Sequence, residues 1–152
     1  MIKLNRTMHP RLLLLALLAA TTACQREADI QPSAQTLAGE VAGTYQTNAY
    51  LDPSSVALSA SQMPYAELTT ESDSTVTLVY TKLYPVKSSE RISNVVLNRQ
   101  ADAIQLRVAD SSIGTLQTDR IFTNNGMEKQ GKLLRVSVQS DPKRSLYFAG
   151  FK

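Results

Sequence analysis

Residues 103–122 read AIQLRVADSSIGTLQTDRIF, and this stretch decides the fold. Apolar Ile104, Leu106 and Val108 alternate with polar residues, which is the period of two expected of a strand with one buried face. The turn-forming triplet DSS at 110–112 then separates this run from a second β-rich run. The stretch therefore predicts an antiparallel hairpin with one apolar face and one solvated face.

The same pattern continues on both sides of this hairpin. Leu134, Val136 and Val138 also alternate with polar residues, and short turn stretches such as NRQAD (98–102) and NNG (124–126) leave no room for helices between strands. Eight strands are predicted in all, over residues 43–51, 65–71, 74–84, 91–98, 103–110, 113–122, 132–139 and 145–151.

These strands predict an all-β fold made of a single antiparallel meander. Their regular spacing favours an up-and-down barrel, and a two-sheet sandwich is the alternative because periodicity alone does not distinguish the two. In either fold Arg107 and Arg135 face solvent. The predicted inward positions are Val76, Leu78, Ile104, Leu106, Val108, Val136 and Val138.

The N-terminus has the three-part layout of an export signal. Lys3, Arg6 and Arg11 supply a positive start, residues 12–20 form an apolar core, and the small residues Thr-Thr-Ala at 21–23 follow. The apolar core is about half of the roughly 20 residues that a membrane-spanning helix needs. The pattern therefore predicts a signal peptide over residues 1–23 and not a permanent membrane span.

The residue after this signal, Cys24, is the chain's only cysteine. The segment TTAC at 21–24 resembles the end of a bacterial lipoprotein signal, and the resemblance implies that Cys24 is lipidated and becomes the first residue after cleavage. It further implies an exported protein that is anchored by lipid to the bacterial cell envelope, and we expect the outer membrane. The alternative is an ordinary signal peptide cut near Ala23, which leaves a free thiol.

The mature chain is predicted to hold one domain on a tether. Residues 24–40 are polar and show neither alternation nor a helical stripe, so they are interpreted as a flexible tether, and residues 41–152 as the β-domain. The full chain has 16 basic and 13 acidic residues, and the leader holds three of the basic ones. The mature chain is therefore balanced at 13 of each, and no basic excess indicates a nucleic-acid partner.

The mature sequence lacks the side chains that several catalytic mechanisms require. The only histidine, His9, leaves with the leader, and Cys24 is taken by lipid in the lipoprotein interpretation. Mechanisms that need a Cys/His or Ser/His/Asp set, and zinc sites built from Cys and His, are therefore not predicted. The sequence predicts a protein that is not an enzyme and that uses no cofactor or metal; the alternative is an enzyme built only on carboxylates or lysine.

Two short motifs resemble those of lipocalins. GTYQ at 43–46 is similar to the Gly-x-Trp opening of the first lipocalin strand, with Tyr45 in place of Trp, and TDR at 118–120 is similar to the family's Thr-Asp-Tyr turn. The resemblance implies a barrel that binds a small apolar or amphipathic molecule.

Four side chains are the candidates for such a ligand pocket. Tyr45, Tyr80 and Phe148 are expected to border an apolar space, and Lys82, on the same strand face as Tyr80, is expected to reach its mouth. The alternative function is a structural or protein-interaction subunit of an envelope complex, in which side chains fill the barrel. A cavity large enough for a ligand distinguishes the two.

Overall fold

The computed structural model describes residues 35–141 and 144–152, and β-strands make up most of this part of the chain. A five-residue helix, α1 (Leu37–Val41), precedes eight strands. These are β1 (Gly43–Gln46), β2 (Tyr65–Thr70), β3 (Thr75–Lys82), β4 (Ser88–Gln100), β5 (Ala103–Val108), β6 (Ser111–Phe122), β7 (Glu128–Asp141) and β8 (Arg144–Phe151). The all-β prediction is confirmed.

The eight strands form one closed up-and-down barrel. Each strand pairs antiparallel with the next along the chain, and β8 returns to β1, where Gln46 lies opposite Phe151. The favoured barrel is therefore confirmed, and the sandwich alternative is wrong.

The inward faces of the strands build one hydrophobic core. Leu106 and Val136 are 0% and 1% exposed, whereas Arg135 is exposed, as the alternation predicts. Val108 and Val138 are partly buried and pack against the same cluster. The buried members are Ala38, Val41, Tyr45, Ala66, Leu68, Val76, Leu78, Val95, Leu97, Ile104, Leu106, Ile113, Leu116, Leu134, Val136, Leu146 and Phe148.

The first strand is shorter than predicted because Asn48 makes a turn. Its side-chain carbonyl accepts hydrogen bonds from the backbone N–H groups of Tyr50 and Leu51, each at 3.1 Å. Such an Asx turn competes with strand pairing, so β1 ends at Gln46 rather than at residue 51. The long connection that follows contains two 3₁₀ turns, Pro53–Ser55 and Ala60–Gln62.

Helix α1 covers one end of the barrel, which corrects the predicted domain boundary. Ala38 and Val41 are buried in the core, and the backbone N–H of Ala38 donates to the carbonyl of Asp73 at 3.0 Å. The domain therefore begins at α1 and not at residue 41, and the last residues of the predicted tether, 24–40, belong to the fold. The predicted leader and Cys24 lie outside the described residues.

Two alanines in tight hairpin turns hold left-handed backbone conformations. Ala101 and Ala109 have φ values of 48° and 50° in the turns after β4 and β5. This conformation is unfavourable by about 1–2 kcal/mol for an L-residue, and glycine adopts it freely. Ala101→Gly and Ala109→Gly should therefore each raise the free energy of unfolding by about 0.5–1 kcal/mol, because glycine's greater unfolded-state freedom offsets part of the gain.

Urea unfolding of the single variants measures this effect. Ala103→Gly, in the adjacent strand β5, is the matched control and should instead lower stability by about 0.5–1 kcal/mol. A loss of stability at both turn positions would contradict the turn assignment.

Candidate functional site at the barrel mouth

The two ends of the barrel differ in how they are covered. Helix α1 lies at one end, where Glu40 forms an ion pair with Arg99 and its carbonyl accepts a hydrogen bond from the Lys132 ammonium at 3.0 Å. The connection that follows β3 lies at the other end, because turns alternate between the ends of an up-and-down barrel. The part of the connection after β1 from Asp52 to Pro64 lies beside it. We call this second end the mouth.

Strands β3 and β4 carry polar side chains to the mouth. Tyr80 pairs with Glu90, and Lys82 pairs with Ser88, just before the connection between the two strands. Tyr80 and Lys82 lie on the same strand face as buried Leu78 because side chains alternate along a strand. The inward face of β3 therefore passes from the core into solvent at these two residues.

A cleft of about 500 Å³ opens at the mouth between β3, β4 and β8. A second cleft of about 290 Å³ adjoins it and is bordered by the connection after β1. The two clefts share Tyr80, Lys82, Ser145 and Tyr147. The first is completed by Ser88, Ser89, Glu90 and Leu146, and the second by Asp52, Ser54, Ser55, Leu58, Gln62, Pro64 and Tyr84.

The apolar floor of the larger cleft is formed by Tyr80 and Leu146, which line it and pack with the core. The ring of Tyr80 contacts that of Phe148, with centroids 5.7 Å apart and planes tilted by 58°, and Phe148 itself is 3% exposed. Ile92, Val108 and Val138 are partly buried against the core, each near the mouth end of its strand. The mouth thus combines an apolar floor with a rim of hydroxyl and charged groups.

The rim carries charges of both signs. Lys82 and Glu90 both line the larger cleft, and Asp52 lines the smaller one. Burial raises the pKa of the Tyr80 hydroxyl, and the Asp52 and Glu90 carboxylates raise it further, so this hydroxyl stays protonated at neutral pH. It is therefore a neutral hydrogen-bonding group between charged neighbours.

Three of the four predicted pocket residues lie together, and Tyr45 does not. Tyr80 and Lys82 line the clefts, and Phe148 lines neither cleft but contacts the ring of Tyr80. Tyr45 is fully buried near α1, where its hydroxyl donates to the Val41 carbonyl at 2.6 Å. Its ring lies 5.2 Å from the Lys152 ammonium, and burial, followed by the nearby Glu40 charge, raises its pKa. Tyr45 thus stabilises the end that α1 covers.

The residues that β4 and β8 bring to the rim were not predicted from the sequence. Glu90 and Ser88 lie opposite Tyr80 and Lys82, and Tyr147 borders both clefts from β8. The hairpin pairing of β3 with β4 was the available signal, because it places residues that flank the connection face to face. The β8 contribution has no local signal, since it depends on barrel closure.

The described residues were compared with metal sites, membrane spans and known proteins. No three His, Cys, Asp or Glu residues within 35–141 and 144–152 are grouped so that they could hold a metal ion. Over the same residues, no helix has the length and apolar character needed to cross a membrane. Comparison of the chain with protein-family models, curated proteins and solved structures yields no match.

Proposed function

We propose that this chain is an exported, lipid-anchored protein of the bacterial cell envelope whose barrel holds a small amphipathic ligand at its mouth. The observation that carries this proposal is the apolar floor of Tyr80 and Leu146, with Phe148 packed against Tyr80, beside a polar rim. An amphipathic molecule places its apolar part on such a floor and keeps its polar head at the rim. The packed cluster of inward side chains supports a site at the mouth rather than at the barrel centre.

The size of the larger cleft suits a small ligand. Ligand pockets usually enclose about 300–1,000 Å³, and this cleft encloses about 500 Å³. The interior of an eight-stranded barrel is just wide enough for side chains to fill it or for one small ligand to enter. Partial entry from the mouth is consistent with both limits.

A second candidate function is a structural or protein-interaction subunit of an envelope complex. It is favoured by exposed apolar side chains near the mouth: Tyr84, Val86 and Tyr147 are 48%, 75% and 61% exposed. Such side chains are common at protein interfaces. Ligand binding and partner binding are distinguished by whether a small apolar probe saturates the purified protein at one site.

A fluorescent fatty acid is expected to bind the purified protein at micromolar concentration, which corresponds to roughly −8 kcal/mol. Tyr80→Ala should weaken this binding about tenfold, because it removes the ring that forms the floor with Leu146. Tyr50→Ala is the matched control, since Tyr50 is 58% exposed and lies in the turn after β1. A fluorescence titration measures both dissociation constants.

Two results would count against the ligand proposal. If the fatty acid shows no saturable binding to the parent protein, the protein-interaction function would be favoured over ligand binding. Equal losses in Tyr80→Ala and Tyr50→Ala would place the probe elsewhere. Tyr80→Phe, which keeps the ring, should bind nearly as well as the parent protein and thus separates loss of the floor from loss of the hydroxyl.

The proposed anchor is tested at Cys24, the only cysteine of the chain. Two or three acyl chains would bind the protein to its membrane almost permanently, because each buried methylene contributes about 0.8 kcal/mol. Cys24→Ser should therefore block processing or release the protein from the membrane fraction, as measured by fractionation and immunoblotting. Normal processing together with full membrane retention would contradict lipidation at this residue.

A further inference from the structure

Two opposite charges lie side by side at the mouth without forming an ion pair. Lys82 lies opposite Ser88 and Glu90 opposite Tyr80, so Lys82 and Glu90 are diagonal neighbours on one face of the β3–β4 hairpin. Diagonal neighbours of this kind are about 7–8 Å apart. The ion pairs found among residues 35–141 and 144–152 involve other side chains, at Arg99, Arg120, Lys132 and Arg135.

Both charged groups are open to a ligand in the larger cleft. Lys82 and Glu90 are exposed, and neither side chain makes a hydrogen bond within the described part of the chain. An ammonium group offers three donors, and an ionised carboxylate accepts through two oxygens. Asp52 differs, because its Oδ1 already accepts from the Ser54 N–H at 3.0 Å.

The apolar floor fixes which part of a ligand meets these charges. A molecule whose apolar part contacts Tyr80 and Leu146 presents its head group between Lys82 and Glu90. A head group with a single charge would meet one attractive and one repulsive partner there. A head group with one charge of each sign would meet an attractive partner for both, at the spacing that the hairpin sets.

We infer that the mouth selects amphiphiles whose head group carries one positive and one negative charge, as in a zwitterionic lysophospholipid. This inference rests on the proposed ligand-binding function and adds the class of the ligand. Lys82 contacts the anionic group and Glu90 the cationic group. Both are specificity-determining residues of the cleft.

The experiment compares three probes that share one dodecyl chain. Dodecylphosphocholine is zwitterionic, dodecyl phosphate is anionic and dodecyltrimethylammonium is cationic. Each is titrated calorimetrically into the purified full chain below its micelle concentration and at low salt, because salt screens exposed charges. Dodecylphosphocholine is expected to bind about threefold to fivefold more tightly than either singly charged probe, as one additional exposed charge contact allows.

Two variants assign the charges to residues. Lys82→Met should weaken the binding of dodecylphosphocholine and of dodecyl phosphate about threefold to fivefold. Its affinity for dodecyltrimethylammonium should stay the same or rise. Glu90→Gln should show the converse pattern: it should weaken the binding of the two probes that carry a cation, dodecylphosphocholine and dodecyltrimethylammonium. Lys87→Met and Glu67→Gln are matched controls, because neither residue lines either of the two clefts at the mouth. They should change the dissociation constants of all three probes alike and only slightly.

The possible outcomes separate this inference from the function on which it rests. If all three probes bind with similar affinity, or if both cleft variants change them in the same way, charge selection is wrong and the amphipathic site remains. If a singly charged probe binds most tightly, the zwitterion assignment is likewise wrong. If neither these probes nor the fatty acid binds, the ligand-binding proposal itself fails.

Discussion

Leu106→Ala is expected to lower the free energy of unfolding by about 2–5 kcal/mol. Leu106 is 0% exposed and belongs to the central cluster of the barrel, so truncation removes buried apolar surface and leaves a cavity among rigid neighbours. Urea denaturation followed by far-UV circular dichroism measures the change. Tryptophan fluorescence cannot be used, because the chain contains no tryptophan.

Arg107→Ala is the matched control on the opposite face of the same strand. The Arg107 guanidinium donates to the Asp110 carbonyl at 2.8 Å, and this single exposed contact should contribute under about 1 kcal/mol. Equal effects at the two positions, or a larger effect at Arg107, would show that the inward and outward faces of β5 are exchanged.

Gly114→Ala is expected to destabilise the barrel by about 3 kcal/mol or more. A Cβ atom at this position would lie 2.3 Å from the backbone carbonyl oxygen of Arg135 and 3.2 Å from the Cα of Val136. The obstruction is main chain of the neighbouring strand, so no side-chain rotation relieves it. Gly114 also lies beside a bulge in the β5–β6 pairing, where strands approach closely.

Gly39→Ala is the comparison for this substitution. A Cβ atom at Gly39 would meet only side chains, the nearest being the Thr36 hydroxyl at 3.2 Å, and alanine favours a helix over glycine by about 1 kcal/mol. Gly39→Ala should therefore change the free energy of unfolding by less than about 1 kcal/mol. A stable, native-like Gly114→Ala variant would mean that β6 and β7 do not pack as closely as described.

The strands and the facing of their side chains could be predicted because they depend on local alternation. Ile104, Leu106 and Val136 fall on the buried face with the period of two that the sequence shows. Strand ends were less predictable. Polar residues extend β4 back to Ser88 because they pair with β3, and this pairing has no counterpart in local hydrophobicity.

Helix α1 could not be predicted because almost everything that stabilises it is distant in sequence. It has only five residues, too few for a helical stripe. The Thr36 hydroxyl caps it by accepting a hydrogen bond from the N–H of Gly39. The contacts that hold it come from Arg99, Lys132 and Lys152. Such contacts exist only once the barrel has closed.

The candidate site was predictable in part, for the same reason. Tyr80 and Lys82 share a strand face, so the sequence placed them together at the mouth. Tyr45 was expected to border the same space, whereas its position in the barrel sets it beside α1. Glu90 could be assigned to the site only from the β3–β4 register, which places it opposite Tyr80.

The most direct test of ligand binding at the mouth is an amide chemical-shift titration of the isotope-labelled protein with the fatty acid. Saturable shifts are expected at Tyr80 and Lys82 and along the cleft residues 88–90 and 145–147, with none at α1 or Tyr45. Shifts centred on α1 and Tyr45, or no saturable shifts at all, would contradict a ligand site at the mouth.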